Sequence, residues 1–502
     1  MARFDNKIFI LTPSFPLKTC GEGVFFICYK RIRVNITPIK FNISILKFIF
    51  AEVILKAKKQ GRKDFYKMKI TFLGAGSTIF AKNVLGDCIL TPSLGQFDIA
   101  LYDIDRERLE CSFKMLNNIN RRYGKARIAR YTDLKSALEG ADFVVNAVQV
   151  GGYKPCTVTD FEVPKKYGLR QTIGDTLGIG GIFRFLRTAP VLEQFAEVIH
   201  KVCPNALFLN YTNPMAMITG YCIRELDLNA VGLCHSVQYC VEGLFKSLGF
   251  SEALKDKARW DIAGINHQAW LLKIEDENGR DMYPEIKRRS ASGEYTETMA
   301  WDLVRHEIMH RFGYYNTESS EHTAEYLPYF IKATHSELID RYKIPLDEYP
   351  RRCEKQIKEW NEIQEKLLSE DLEHTRSKEF ASYIIESAVT DKACRIHGNV
   401  INEGLIPNLP SKACVEVACL VDQGGIQPVR HAPLPEQCAA LNRTNINVQL
   451  LSIEAARSRK KEDVYRAAYL DPHTSAELTL DEIKSLCDDL FEAHKAWLPE
   501  YL

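Results

Sequence analysis

The segment that most constrains the fold is residues 68–80, MKITFLGAGSTIF. It predicts an apolar strand, a tight glycine turn and a helix that follows directly. The uncapped amides and positive dipole of such a helix start can bind a phosphate, and glycine lets the phosphate approach the backbone. The segment therefore predicts a dinucleotide-binding turn, whose candidate cofactor-binding residues are Gly74, Ala75, Gly76 and Ser77.

A second apolar strand is predicted at Phe97–Tyr102, and Asp103 follows it directly. A carboxylate at this place suits the ribose diol of NAD and repels the 2′-phosphate of NADP. Ile79 occupies the place of the third glycine of the usual fingerprint, so a strand, turn and helix that bind no nucleotide stay an alternative at this point.

Charge separates the first 67 residues from the rest. They contain 14 Lys/Arg and 4 Asp/Glu, net +10, whereas residues 68–502 contain 52 and 61, net −9. The apolar run 43–55 is too short to span a membrane and contains Lys47 and Glu52. We expect residues 1–67 to be a basic extension outside the fold, with Met68 as the functional start and no membrane or nucleic-acid partner.

The chain has 15 cysteines without a C-x-x-C pair. Irregular spacing without a signal peptide favours free thiols in a reducing compartment, and we predict a cytoplasmic protein.

Helices and strands alternate after the first turn, as in a doubly wound parallel sheet. The predicted fold is α/β, a Rossmann-type sheet followed by an α+β domain for substrate and oligomerisation, similar overall to lactate and malate dehydrogenases. The predicted domains are residues 68–262 for NAD and 263–502 for substrate. After Phe97–Tyr102, the predicted elements are strands at 127–131, 142–150, 206–211, 230–234 and 415–421 and helices at 106–121, 134–138, 298–312 and 351–370.

Two strand ends carry metal-ligand side chains, Cys234 in GLCHS and His267 in AGINH. A thiolate and an imidazole suit a borderline divalent ion, and two protein ligands leave positions open for substrate oxygens. Buried core residues of the same types are the alternative.

A competing metal motif is HEIMH at His306, Glu307 and His310. On a helix this pattern places two imidazoles on one face, as in zinc peptidases, with a third ligand from downstream. The downstream candidates are Glu318, Glu321 and Glu325.

The chain from Met68 onward resembles the NAD- and manganese-dependent glycoside hydrolases of family 4. The resemblance rests on residues 69–80, 151–169, 171–188, 209–217, 232–238, 263–267, 317–322, 341–350, 415–422, 444–449 and 471–474. It implies NAD and Mn²⁺ or another divalent ion as cofactors, with the metal on Cys234 and His267. The implied route is NAD-mediated oxidation at sugar C3, removal of the C2 proton, elimination of the aglycone, addition of water and re-reduction, unlike the usual two-carboxylate scheme.

The resemblance also implies roles for single residues. His235 matches the acid for the leaving group, Asp175 an acidic residue that raises the basicity of the base, and Asn213 a substrate-binding residue. The C2 base is left open among three candidates, Tyr314, Tyr315 and Glu321. Asn146 and Asn210 are predicted to line the nicotinamide, with satisfied loop asparagines as the alternative.

Without a cluster of cations that reads phosphate, we expect neutral α-galactosides of the melibiose and raffinose type as substrates. The alternatives are α-glucosides or α-galacturonides, and, from another class, the reaction of an NAD-dependent hydroxy-acid dehydrogenase. The family resemblance suggests a homodimer or homotetramer.

Overall fold

A computed structural model describes residues 68–502 apart from 293–295, 297–298, 370 and 371. The prediction for residues 1–67 lies outside the described residues. Among the helices that the structure describes, none combines the length and apolar character needed to cross a membrane. The thirteen cysteines of the described part are free thiols.

One mixed sheet joins the strands of the described residues in the order β3-β2-β1-β4-β5-β6-β10-β11-β7-β8-β9, with β12 beside β11. The strands are β1 (Lys69–Leu73), β2 (Phe97–Tyr102), β3 (Ala126–Tyr131), β4 (Phe143–Asn146), β5 (Leu207–Asn210), β6 (Ala230–Gly232), β7 (Arg259–Ile265), β8 (Gln268–Glu275), β9 (Tyr315–Asn316), β10 (Cys394–Ile401), β11 (Cys414–Asp422) and β12 (Gly425–Pro428).

The α-helices of the described residues are α1 (Thr78–Leu90), α2 (Arg106–Arg121), α3 (Leu134–Leu138), α4 (Val158–Lys165), α5 (Gly178–Val202), α6 (Met215–Arg224), α7 (Ser236–Ser247), α8 (Glu252–Lys255), α9 (Tyr283–Ala291), α10 (Leu303–Phe312), α11 (Ser320–Tyr326), α12 (Glu337–Arg341), α13 (Glu348–Leu367), α14 (Phe380–Thr390), α15 (Glu436–Ser458), α16 (Lys461–Tyr469), α17 (Pro472–Glu477) and α18 (Leu480–Ala493).

The first six strands are parallel and follow the order 3-2-1-4-5-6, which is the Rossmann order. All four residues of β4 and of β5 are buried, as expected for strands covered by helices on both faces. The sheet continues through antiparallel pairs, β6 with β10 and β11 with β7. The predicted α/β fold with a Rossmann-type first part is therefore confirmed.

The division at residues 262 and 263 stays a prediction. Strand pairs run from one predicted domain into the other, and Lys67–Leu502 forms one compact unit.

Some predicted boundaries were wrong. The strand predicted at 142–150 ends at Asn146, because its neighbours β1 and β5 end at Leu73 and Asn210 and offer no further partners. The helix predicted at 298–312 begins at Leu303, after a separate short turn at Met299–Trp301. The helix predicted at 351–370 is Glu348–Leu367. By contrast, β2, α2 and α3 have the predicted bounds.

Steric contacts explain why the turn after β1 needs a glycine at position 74. Gly74 has φ +84°, and a Cβ there would lie 2.7 Å from the carbonyl oxygen of Ala147. The Gly74 amide donates to Tyr102 O at 3.0 Å, which ties the turn to the end of β2. An alanine would meet both a forbidden φ and a backbone atom that cannot move aside cheaply.

We therefore expect Gly74→Ala to lower the free energy of unfolding by about 2–4 kcal/mol, the sum of a left-handed penalty and a backbone clash. Gly313→Ala is the matched control, because Gly313 is also left-handed, with φ +92°, and the atom nearest to an added Cβ is Gln437 Nε2 at 3.7 Å, an ordinary contact. It is expected to cost only about 1–2 kcal/mol. Urea titration followed by fluorescence measures both, and equal losses would contradict the steric explanation.

Candidate active site

Three ligand-type side chains meet beyond the strand ends. Cys234 follows β6, His267 lies in the turn between β7 and β8, and Glu318 precedes α11. Cys234 Sγ lies 3.3 Å from His267 Nε2, and Glu318 Oε2 lies 3.3 Å from the same nitrogen. Their ligand atoms all lie within 4.8 Å of one another. We call Cys234, His267 and Glu318 the trio.

The backbone of the trio is unusual. His267 has φ +63° and Glu318 has φ +69°, values that side chains other than glycine rarely adopt. Such conformations cost of order 1–3 kcal/mol each and cluster at functional sites. Two of the three side chains are thus held in place against a backbone preference.

The electrostatics of the trio fit a cation. Burial and, to a smaller extent, the charge of Glu318 together raise the pKa of Cys234 to about 11. Burial also raises the pKa of Glu318, but His267, His322 and Arg305 outweigh it and bring that pKa down to about 2. A carboxylate thus faces a protonated thiol. A divalent ion would allow the thiolate and the carboxylate to coexist, so the donor set suits a metal.

Two buried side chains, His322 and Glu416, interact with the trio. The ring of His322 packs edge-on against His267 at 4.5 Å between centroids, and burial lowers the pKa of His322 to about 3. Glu416 of β11 is fully buried and accepts from Asn399 Nδ2 at 3.4 Å. Burial raises the pKa of Glu416 well above its usual value, and the interaction with Cys234 adds to this shift.

Asp175 and Asn213, two further predicted site residues, both lie next to Arg184. Arg184 Nη1 lies 3.8 Å from Asp175 Oδ2, and Arg184 Nε donates to the Asn213 carbonyl at 3.1 Å. The other Asp175 oxygen and the side-chain oxygen of Asn213 are buried without a hydrogen-bond partner. Burial raises the pKa of Asp175 against the charges of Arg184 and His267. Two unpartnered acceptors beside the trio are suited to sugar hydroxyls.

His235 is next to the trio in sequence and half-exposed. Its Nε2 lies 2.8 Å from Glu379 Oε2, and Glu379 is nearly buried at the start of α14. Burial lowers the pKa of His235, but the hydrogen bond and charge of Glu379 outweigh it, so the pKa lies above its usual value. This pairing favours the imidazolium, the form that can donate a proton.

The predicted dinucleotide turn has a free helix start. Helix α1 begins at Thr78, and Ser77 makes no side-chain cap bond. Asp103 Oδ2 accepts from the Gly76 amide at 2.6 Å, and a Cβ on Gly76 would lie 2.8 Å from that oxygen. Gly76 thus makes room for Asp103 itself. The uncapped amides and nearby carboxylate fit a dinucleotide.

The two predicted nicotinamide residues differ in their surroundings. Asn210 is satisfied inside the protein, since its Oδ1 accepts from Thr212 N at 3.1 Å and its Nδ2 donates to Thr212 O and Thr219 Oγ1. Asn146 donates to Asn210 Oδ1 at 2.9 Å, but its own Oδ1 is buried without a partner. Of the two, Asn146 therefore has the side-chain oxygen left for a ligand.

The structure does not bring the predicted base candidates to the trio. The Tyr315 hydroxyl is buried and donates to Asp302, and the Tyr314 ring packs on Tyr283 at 5.8 Å between centroids. Glu321 Oε1 pairs with Arg352 Nη2 at 2.9 Å. Each of the three side chains thus faces another group.

Tyr326, which the sequence analysis did not consider, is buried with its ring centroid 6.2 Å from that of His267. Burial raises the pKa of its phenol well above the usual value, and the charges of Asp175, Cys234 and Glu318 add to this.

The competing HEIMH motif has other partners. His306 Nδ1 and His310 Nε2 each lie 2.9 Å from the Ser290 hydroxyl, and Glu307 pairs with Arg311 at 2.9 Å. Both imidazoles share one helix face as predicted, but they bind a serine. Among the described residues, the trio is the group of three His, Cys, Asp or Glu side chains with metal-ligand spacing.

Besides Tyr326, sequence reasoning missed three contributors to this site. Glu318 was considered only as a ligand of the HEIMH motif, although it lies in the TESSEH segment. Arg184 lies in the GGIFRF segment, but no spacing rule relates it to Asp175. Glu379 is 144 residues from His235, and no local signal could have found it.

A parallel nucleotide-type sheet with a metal-ligand trio at its strand ends is unlike the usual two-carboxylate glycosidases. The sequence profile of the family 4 glycosyl hydrolases matches residues 69–250, and that of the family's C-terminal domain matches residues 262–474. The chain belongs to family 4 of the glycosyl hydrolases, and the predicted resemblance is confirmed.

Similar proteins support this family assignment. The chain is 59% identical over 435 residues to an α-galactosidase of Bacillus subtilis (strain 168), covering 86% of this chain and 99% of the relative. It is 34% identical over 447 residues to an α-galactosidase of Rhizobium meliloti (strain 1021), covering 86% and 89%. A putative glucosidase of Bacillus subtilis has a solved structure with TM-score 0.74, 25% identity and coverage of 84% and 99%.

A 6-phospho-α-glucosidase from gut microorganisms, solved in complex with NAD and Mn²⁺, shares the fold with TM-score 0.70 and 20% identity over 87% of this chain and 100% of that chain.

Proposed function

We propose that this glycosyl hydrolase is an α-galactosidase that uses NAD and Mn²⁺ or another divalent ion. The observation that carries the proposal is the trio of Cys234, His267 and Glu318 at the strand ends of a Rossmann-type sheet. The 59% identity to an α-galactosidase supports the substrate, and the structural relative in complex with NAD and Mn²⁺ supports the cofactors.

The residues divide the work by position. The helix start after Gly76 and the Asp103 carboxylate would hold the dinucleotide, and the trio would hold the metal. When bound, NAD supplies reversible oxidation at sugar C3 and the metal supplies Lewis acidity. The unpaired oxygens of Asp175 and Asn213 accept hydrogen bonds from sugar hydroxyls. His235, charged through Glu379, delivers a proton to the departing aglycone oxygen.

For the base that removes the C2 proton, we place Tyr326 ahead of Tyr315 and Glu321. The Tyr315 hydroxyl already donates to Asp302, and the Glu321 carboxylate already pairs with Arg352. The Tyr326 phenol is protonated in the unloaded protein, and bound cations beside it would lower its pKa. Tyr326→Phe is therefore expected to abolish exchange of the C2 hydrogen with solvent deuterium, and exchange at the wild-type rate would exclude the assignment.

The test of function is release of p-nitrophenol from p-nitrophenyl α-galactoside by reduced, cofactor-stripped protein, with and without NAD⁺ and Mn²⁺. We expect turnover only with both additions, and slower turnover of the C2-deuterated substrate. Turnover that is indifferent to NAD⁺ would overturn the mechanism. Faster turnover of α-glucosides or α-galacturonides would reassign the substrate. Net accumulation of NADH would indicate a dehydrogenase, because the hydrolase returns the hydride in each cycle.

The predictions of a cytoplasmic homodimer or homotetramer also belong to this proposal. Free thiols throughout the described residues suit a reducing compartment. Light scattering of the purified protein measures the oligomeric state, and a monomer would contradict it.

A further inference from the structure

A buried carboxylate that the proposed mechanism does not use lies in α11. Glu325 is 6% exposed, and its side chain is bound by consecutive backbone amides. Oε1 accepts from Thr172 N at 2.5 Å and Ile173 N at 3.1 Å, and Oε2 accepts from Gly174 N at 3.1 Å. The partners of this carboxylate are thus the amides of one turn, which we call the 172–174 turn.

Burying an ionised carboxylate costs free energy, and the hydrogen bonds from the amides offset part of this cost. Burial raises the pKa of Glu325 to about 7, and the three amides oppose that shift by binding the ionised form. Hydrogen bonds to a charged acceptor are about twice as strong as neutral ones, so the amides hold the turn firmly while the carboxylate stays ionised.

The turn is held from its other sides too. Thr172 Oγ1 donates to the carbonyl of Glu321 at 2.8 Å, and Thr172 O accepts from Tyr349 N at 3.0 Å. Helix α5 packs closely on it, because a Cβ on Gly180 would lie 2.4 Å from the carbonyl oxygen of Gly174. The turn is therefore fixed between α11, α5 and the start of α13.

The residue that follows the turn is Asp175, whose carboxylate faces Arg184 and the trio. Gly174 has φ +55°, so the chain reverses just before Asp175 and the direction of that side chain depends on where the turn lies. Tyr326 follows Glu325 on α11. Glu325 thus connects the helix of the proposed base to the loop of Asp175, one of the two acceptors proposed for the sugar hydroxyls.

We infer that Glu325 is a positioning residue: by binding the amides of the 172–174 turn it holds Asp175 at the distance from the trio and Tyr326 that C2 deprotonation needs. The inference rests on the proposed function for the role of Asp175, but the clamp itself is a property of this fold.

The test is Glu325→Gln, which keeps the size of the side chain and removes its charge and half of its acceptors. We expect kcat for p-nitrophenyl α-galactoside to fall about 10–100-fold with KM changed less than about threefold, since misplacing a catalytic group by a fraction of an ångström costs of this order. The C2-deuterium isotope effect should rise, because proton removal becomes more limiting.

A double-mutant cycle with Asp175→Asn identifies the route of the effect. If Glu325 acts through Asp175, Glu325→Gln costs little in the Asp175→Asn background. Additive losses would overturn the proposal. Glu348→Gln is the matched control, because it removes a carboxylate charge at the start of α13, but that carboxylate binds Arg351 and Arg352 and not the turn. It is expected to change kcat less than about threefold.

A readout without substrate separates this inference from the proposed function. Hydrogen exchange of the 172–174 amides, followed by mass spectrometry, is expected to quicken at least about tenfold in Glu325→Gln and to stay at the wild-type rate in Glu348→Gln. Unchanged exchange would overturn the clamp. If Glu325→Gln does not fold, Glu325→Asp replaces it and should give partial loss of kcat and intermediate exchange. A wild-type protein inactive on α-galactosides would refute the proposed function and leave the exchange result standing.

Discussion

Replacing Cys234 by serine is expected to lower Mn²⁺ affinity at least about 100-fold and kcat for p-nitrophenyl α-galactoside at least about 1000-fold, since a Lewis-acid metal supplies several kcal/mol of transition-state stabilisation. The trio offers one ligand atom from each residue within 4.8 Å. A serine hydroxyl is a far poorer ligand than a thiolate for a borderline ion. Loss of the Cys234 sulfur leaves only an imidazole and a carboxylate.

The measurement is Mn²⁺ titration by electron paramagnetic resonance of the free ion, with the activity assay alongside. Cys111→Ser is the matched control, because Cys111 lies on α2, away from the trio, and is half-buried. It should bind Mn²⁺ and turn over substrate as the wild type does. Unchanged Mn²⁺ affinity in Cys234→Ser would exclude the trio as the metal site, whatever the activity.

The second large effect concerns Glu379, which binds His235 Nε2 at 2.8 Å. Glu379→Gln removes the charge that favours the imidazolium, so proton delivery to the aglycone oxygen should weaken. General acid catalysis contributes about 10²–10⁴-fold, but only where the leaving group needs a proton. We expect kcat for melibiose to fall about 100-fold and kcat for p-nitrophenyl α-galactoside to fall less than about fivefold.

Comparing the two substrates separates proton delivery from a general loss of structure. Glu386→Gln is the matched control, because Glu386 lies on the same helix, α14, but accepts from Ser93 Oγ at 2.6 Å instead of binding His235. It should leave the ratio of the two kcat values unchanged. Equal losses on melibiose and the p-nitrophenyl glycoside in Glu379→Gln would show that Glu379 does not act through leaving-group protonation.

The bounds of a helix or strand can be predicted from the sequence when the residues that set them lie within or next to that element. Helix α2 has the predicted bounds because Asp105 caps its start within the same segment, accepting from the amides of Glu107 and Arg108. The strand predicted at 142–150 was too long because its apolar run continues past the last residue with a partner. Strand length is decided by neighbours that are distant in sequence.

The site residues also divide into those that local sequence predicted and those whose surroundings depend on distant parts of the chain. Cys234 and His267 were predicted from side-chain chemistry at strand ends, and the structure brings their ligand atoms to 3.3 Å. Tyr315 and Glu321 were chosen as base candidates from the region YYNTESSEH, residues 314–322, but Asp302, just before α10, and Arg352 of α13 bind them instead. Proximity in sequence does not say which group a side chain will face in the fold.

The sequence by itself determined the Rossmann-type turn, the family and two ligands of the trio, because each depends on short runs whose residue types carry the chemistry. Only the tertiary structure decided that Glu318 lies with Cys234 and His267, that Glu379 pairs with His235 and that Glu325 accepts from the amides of the 172–174 turn. These contacts join residues 51, 144 and about 150 positions apart. Each is a hydrogen bond or an ion pair in a buried environment that elements distant in sequence create together, and no local run of residues encodes that environment.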